Sequence, residues 1–219
     1  MNGIPYDSIE TLIEAHDLKG IRSWISEGGD PNLGIDQNRF PLIISIIDEL
    51  YEAPDSPELL EMLRLFVQNG AAINQINDCS FVPIMEAIQS KSLGAFNILM
   101  DQNVDVNFVT KNDYPSFTPL LLAVELNNVA MVRSLLSKTN SEFIHFVGGH
   151  QVATALGYAF KNANIPLIEL LLEHKADPNF IEWDHAYLPS KALIPDTLGT
   201  DERNQLDKLL AKYADNENS

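Results

Sequence analysis

The chain has 219 residues, 45% hydrophobic and 8% aromatic, the content of an ordinary folded protein rather than a disordered one. Its 31 acidic residues against 14 basic ones give a net charge of −17. Such a surface repels phosphate backbones and anionic lipids, which argues against direct nucleic-acid or membrane-surface binding.

In chain order, the first ten residues, Met1 to Glu10, carry neither a basic region nor an apolar stretch, so a secretory signal is not expected there. No run approaches the ~18 uncharged apolar residues needed to span a membrane. Apolar residues at helical spacing then recur, each run closed by a similar tail. Ile21–Ile25 leads to Gly28-Gly29-Asp30-Pro31-Asn32, and Leu59–Val67 leads to Asn69-Gly70-Ala71-Ala72-Ile73-Asn74. Ala95–Met100 leads to Asn103-Val104-Asp105-Val106-Asn107, and Leu167–Leu172 to Lys175-Ala176-Asp177-Pro178-Asn179. The final asparagines are 42, 33 and 72 residues apart, and an apolar helix meeting Gly or Asn reads as a helix reaching its C-cap.

A second marker precedes each of the later runs: Phe40-Pro41-Leu42-Ile43-Ile44-Ser45, Val82-Pro83-Ile84-Met85-Glu86-Ala87, Thr118-Pro119-Leu120-Leu121-Leu122-Ala123 and Thr154-Ala155-Leu156-Gly157-Tyr158-Ala159. Proline suits the first helical turn, where its missing N–H has no intrahelical partner, and threonine before it can cap free amides. The unit is therefore a turn, a short helix, a tight connection, a second helix and a loop.

This pattern resembles the ankyrin repeat, with its opening T-P-L-H-x-A and closing L-L-x-x-G-A-D-V-N. The resemblance implies an all-α helix-turn-helix solenoid of five to six repeats with degenerate caps, a single domain over 1–219. The units are expected at about 9–32, 40–74, 81–107, 117–146, 152–179 and 187–215. Ile43, Met85, Leu121 and Gly157 stand where the family has histidine, which implies greasier junctions between units.

No catalytic constellation emerges. His16, His145, His150, His174 and His185 are scattered, with no i,i+4 metal pair, and there is no phosphate loop, dinucleotide fingerprint or nucleophile elbow. His145 and His150 flank Gly148-Gly149, which reads as a polar turn. The lone Cys79 excludes an internal disulfide and a multi-cysteine zinc site, and it suits a reducing cytoplasm. No cofactor, no metal and no enzymatic activity are expected; cytoplasmic residence is, with leader-less export compatible.

What the resemblance implies is protein binding on the concave face formed by turn tips and first helices. Phe81 and Phe117 sit two residues before the proline and Phe40 one residue before it; with Asp78, Asp113, Tyr114, Trp183 and Tyr187 they form a candidate aromatic and acidic ladder. Folding of each ring back onto its own or a neighbouring turn is the competing reading. A second candidate is the insertion after Tyr51, with Glu52, Asp55 and Glu58, inside a stretch from Asp48 to Glu61 holding six acids and no base. Residues 1–74 carry 13 acids and 4 bases, the densest acid in the chain. The expected function is a non-enzymatic binding module, monomeric when unbound, for a basic partner protein. One form is an acidic inhibitor or immunity protein for a toxin. A secreted bacterial effector or adaptor for a host protein and a structural subunit are the alternatives.

Overall fold

In the computed structural model the described residues are 5–34, 41–74, 82–110, 115–182 and 188–214. Two compact units divide the chain, Met1–Asp105 and Val106–Ser219.

The first unit pairs α1 (Tyr6–Glu14) with α2 (Leu18–Ser26), α3 (Leu42–Glu49) with α4 (Pro57–Gln68), and α5 (Pro83–Gln89) with α6 (Leu93–Met100). First helices pack α1 on α3 on α5, and second helices α2 on α4 on α6, so the unit has two layers. Helices of only 7 to 12 residues are marginal in isolation, and burial holds these together. Ile9, Ile44, Leu63, Phe66 and Phe96 are sealed from solvent, and the Trp24 ring lies 5.7 Å from that of Phe66.

Second helices start on side-chain caps. Asp17 accepts the Gly20 N–H at 2.9 Å, Ser56 the Leu59 N–H at 3.4 Å and Ser92 the Ala95 N–H at 3.2 Å. After α2 and α4 the chain turns on Gly28 (φ 90°) and Gly70 (φ 88°), a left-handed conformation that a Cβ disfavours.

Three of the four closing asparagines work as clamps, while Asn179 accepts from Lys191 Nζ at 2.7 Å. The Asn32 amide donates to the Gly70 carbonyl at 2.9 Å while its Oδ1 accepts the Ala72 N–H at 2.8 Å. Asn74 repeats this on the Asn103 carbonyl (3.0 Å) and the Asp105 N–H (2.8 Å). In the second unit Asn107 does so on the Lys138 carbonyl (2.9 Å) and the Asn140 N–H (2.7 Å). Each clamp joins one repeat's tail to the next, so polar satisfaction comes from the tails. The stand-ins Ile43, Met85 and Leu121 are instead buried.

The second unit pairs α7 (Pro119–Glu125) with α8 (Val129–Leu136), and α10 (Ala155–Lys161) with α11 (Ile165–Glu173). Thr118 and Thr154 cap α7 and α10, accepting the Leu121 and Gly157 N–H groups at 3.0 Å. The fourth repeat lacks its closing tail and has α9 (Ser141–Ile144) there instead. His145 takes over the clamp: Nε2 accepts the Asp177 N–H at 3.0 Å and Nδ1 bonds the Ser141 carbonyl at 3.1 Å. An amide N–H can only donate, so the imidazole proton belongs on Nδ1. The ring also stacks on Phe180 at 5.2 Å.

The all-helical pattern is interrupted by a two-residue antiparallel ladder, β1 (Ile181–Glu182) with β2 (Leu188–Pro189), in register Ile181 to Pro189. A 3-10 turn at Ser190–Leu193 stands against α10 where a first helix would be, and α12 (Thr200–Ala214) covers α11 with Leu206 and Leu209 inward.

Candidate functional site

The first-helix layer of the first unit is acidic. Between α1 and α3 lies an open groove of about 280 Å3 lined by Glu10, Ile13, Glu14, Ser45, Asp48 and Glu49. Among these lining residues four are carboxylates and none is basic; His16 Nε2 approaches Glu49 at 3.5 Å from one end.

The insertion is a compact turn rather than a long loop. Backbone bonds from Ala53 to Glu49 and from Ser56 to Ala53 fold it. The Tyr51 hydroxyl donates to Gln89 Oε1 at 3.1 Å, and Ser92 Oγ donates to the Pro54 carbonyl at 2.9 Å, tying the turn to both ends of the α5–α6 connection. Glu52, Asp55 and Glu58 are all exposed there, and Glu58 adds a favourable charge to the first turn of α4. The absence of bases in this stretch is local to the sequence. In three dimensions Glu61 is met by Arg22 at 2.7 Å and Arg64 at 3.6 Å.

Glu86 was not singled out by sequence reasoning, yet it is the most unusual residue of this layer. It occupies the slot filled by Ile44, Leu122 and Tyr158 in the other repeats and is only 6% exposed. Its backbone bonds Val82 and Ser90, but among the described residues its carboxylate makes no hydrogen bond or ion pair. Burial, and then the Asp48 carboxylate, push its pKa up to about 7. Asp48 is raised as well, by partial burial and then by Glu49. Tyr51 is pushed up to about 12 by burial, then by Glu86 and Asp48. The signal available in the sequence was an acid in a position otherwise apolar.

In the second unit, Phe117 is half-buried, with its ring 5.3 Å from that of His150. His150 Nδ1 bonds Glu125 Oε1 at 2.8 Å. Glu125 Oε2 is buried without a well-formed hydrogen bond, beside the Tyr158 hydroxyl, which accepts the Gln151 N–H at 2.6 Å. Burial raises the Tyr158 pKa, the Gln151 N–H offsets part of this, and Glu125 adds to the rise. The Gly148-Gly149 segment is thus a turn, with Gly149 at φ 71° and Gly148 bridged to Ala153. Among the described residues no group of three or more His, Cys, Asp or Glu is placed to hold a metal ion. Phe40, Asp78, Cys79, Phe81, Asp113, Tyr114, Trp183 and Tyr187 lie outside the described residues.

A family profile described as ankyrin repeats (3 copies) matches residues 50–146 and again 84–182. The chain belongs to the ankyrin-repeat family. An ankyrin repeat protein of Borreliella burgdorferi is 30% identical over 98 residues, 45% of this chain and 39% of that protein. The chain therefore spans about two fifths of that relative's length. The crystal structure of an ankyrin repeat domain from Acinetobacter baumannii matches with a TM-score of 0.71 at 17% identity, over 94% of this chain and 97% of that one. The fold is thus an all-α ankyrin-type repeat solenoid. Ankyrin repeats generally mediate protein–protein binding, and their fold is typically a non-enzymatic scaffold. No helix among the described residues of this ankyrin-repeat chain is long and apolar enough to cross a membrane.

Proposed function

We propose that the chain is a non-catalytic binding module for a basic protein, which docks on the acidic first-helix layer of the first unit. The observation that carries this reading is the groove between α1 and α3, with Glu10, Glu14, Asp48 and Glu49 along its walls. Glu52, Asp55 and Glu58 on the inserted turn extend the same sign of charge at its edge. Clustered charge of one sign raises encounter rates with an opposite partner and suppresses wrong ones. A toxin that itself binds a polyanion carries such a basic face, so occlusion of that face by an acidic inhibitor or immunity protein is the role we favour. In this reading the chain acts in the cytoplasm and is monomeric until it binds. Phe40, Asp78, Phe81, Asp113, Tyr114, Phe117, Trp183 and Tyr187 are the further contacts of this reading.

The test is capture of the partner from the native organism, followed by measurement of affinity across salt. A basic partner is expected, with binding that weakens steeply between about 0.05 and about 0.5 M salt as exposed charges are screened. A complex indifferent to salt overturns the electrostatic reading.

A further inference from the structure

We propose that the notch between α3 and α5, where Asp48, Tyr51 and Glu86 converge, is an anchor site for one cationic side chain, arginine or lysine, presented by a basic segment of the partner. This rests on the basic-partner reading above and names the chemistry at its centre.

The register of the two helices builds the notch. Tyr51 is tied to Gln89 by a hydrogen bond. Asp48 and Glu86 each lie three residues earlier, on the same faces of their helix ends, and α3 packs directly on α5. Two carboxylates are thereby set against each other across the seam. Among the described residues of the elements packed here, α3 brings only Asp48 and Glu49, α6 carries no titratable residue, the turn adds Tyr51, Glu52 and Asp55, and Lys91 lies in the α5–α6 connection.

An acidic patch alone is a solvated surface. Glu86 is the second and independent observation, because the residue is only 6% exposed and its carboxylate makes no hydrogen bond or ion pair among the described residues. A buried carboxylate left without a partner is costly, whereas the same group meeting a guanidinium or ammonium gains a charge-assisted hydrogen bond. In the free protein protonation of Glu86 relieves this cost in part; an arriving cation replaces that proton. Tyr51, 46% exposed at the lip, offers an aromatic surface for the aliphatic stem and the charge. Asp48 also lines the groove between α1 and α3, so a chain anchored in the notch continues past Glu49, Glu14 and Glu10.

The probe is a fluorescein-labelled ten-residue peptide of alternating arginine and serine, followed by anisotropy at low salt and pH 8. Wild type, Asp48→Asn, Glu86→Gln and the double variant are compared with Asp201→Asn/Asp207→Asn on α12, which removes the same two charges from the second unit. The double notch variant is expected to bind at least about tenfold more weakly, the α12 control less than about twofold, with thermal melts establishing that each variant folds. Between pH 6 and pH 8 wild-type affinity is expected to rise several-fold as Glu86 ionises, and that of Glu86→Gln to stay comparatively flat. Equal losses in notch and control variants, or a wild-type pH profile matching that of Glu86→Gln, overturn the anchor while leaving the basic-partner reading standing. A peptide that fails to bind wild type at all removes both.

Discussion

Glu86→Gln is expected to stabilise the protein by roughly 3 kcal/mol at pH 8 and to leave it nearly unchanged at pH 4. The folded chain holds the Glu86 proton to about pH 7, because burial and Asp48 disfavour the charged form. The unfolded chain releases it near the ordinary carboxylate value. Between those two points the folded state binds more protons than the unfolded state, so stability falls as pH rises through the window. Glutamine imitates the protonated acid and removes that fall. Urea midpoints of wild type and variant at pH 4 and pH 8 are the check; parallel behaviour of the two proteins across this range sinks the assignment. If the notch anchors a cation, the same substitution strengthens the fold and weakens binding, the trade-off expected where a site is held in an unfavourable state.

Tyr158→Phe is expected to cost about 2–3 kcal/mol. Its ring is sealed at 0% exposure, and its hydroxyl is the acceptor for the Gln151 N–H and the polar neighbour of Glu125. Phenylalanine fills the volume but leaves both groups without it. The turn from Phe146 to Ala153 is then expected to loosen, and with it the contact between Phe117 and His150. Equilibrium unfolding measures the cost, and faster amide exchange confined to that turn identifies its origin. A loss under about 0.5 kcal/mol would show that the hydroxyl contributes little.

Periodicity made the architecture legible because each repeat must bury the same stripes and close with the same backbone turn. Thr118 and Thr154 announced their caps, and Gly28 and Gly70 their left-handed turns. Less legible was what the tail asparagines do. Their side chains reach backbone groups 29 to 40 residues away, a relation that local pattern does not carry. His145 shows the same limit: its sequence neighbourhood had lost the tail motif, yet its ring nitrogen fills the asparagine's place on Asp177.

The candidate interaction surface is less legible. Charge counting located the densest acid near the N-terminal end, and the groove between α1 and α3 lies there. The spacing of Asp48 to Glu61 revealed neither the pairing of Glu61 with two arginines nor the compactness of the turn. Glu86 escaped because an acid in a helix reads as solvated surface unless its repeat-equivalents are compared. Ile44, Leu122 and Tyr158, all buried, mark that slot as interior. Phe117, expected among an aromatic ladder, is half-buried, with its ring beside that of His150.

Hydrogen exchange of the chain, free and in complex with its captured partner, tests most directly where binding occurs. Slowed exchange is expected in α1, in α3 and in the inserted turn from Tyr51 to Ser56, with the smaller effects elsewhere. Protection confined to the unit Val106–Ser219, with α1 and α3 unchanged, would contradict the acidic first-helix layer as the docking surface.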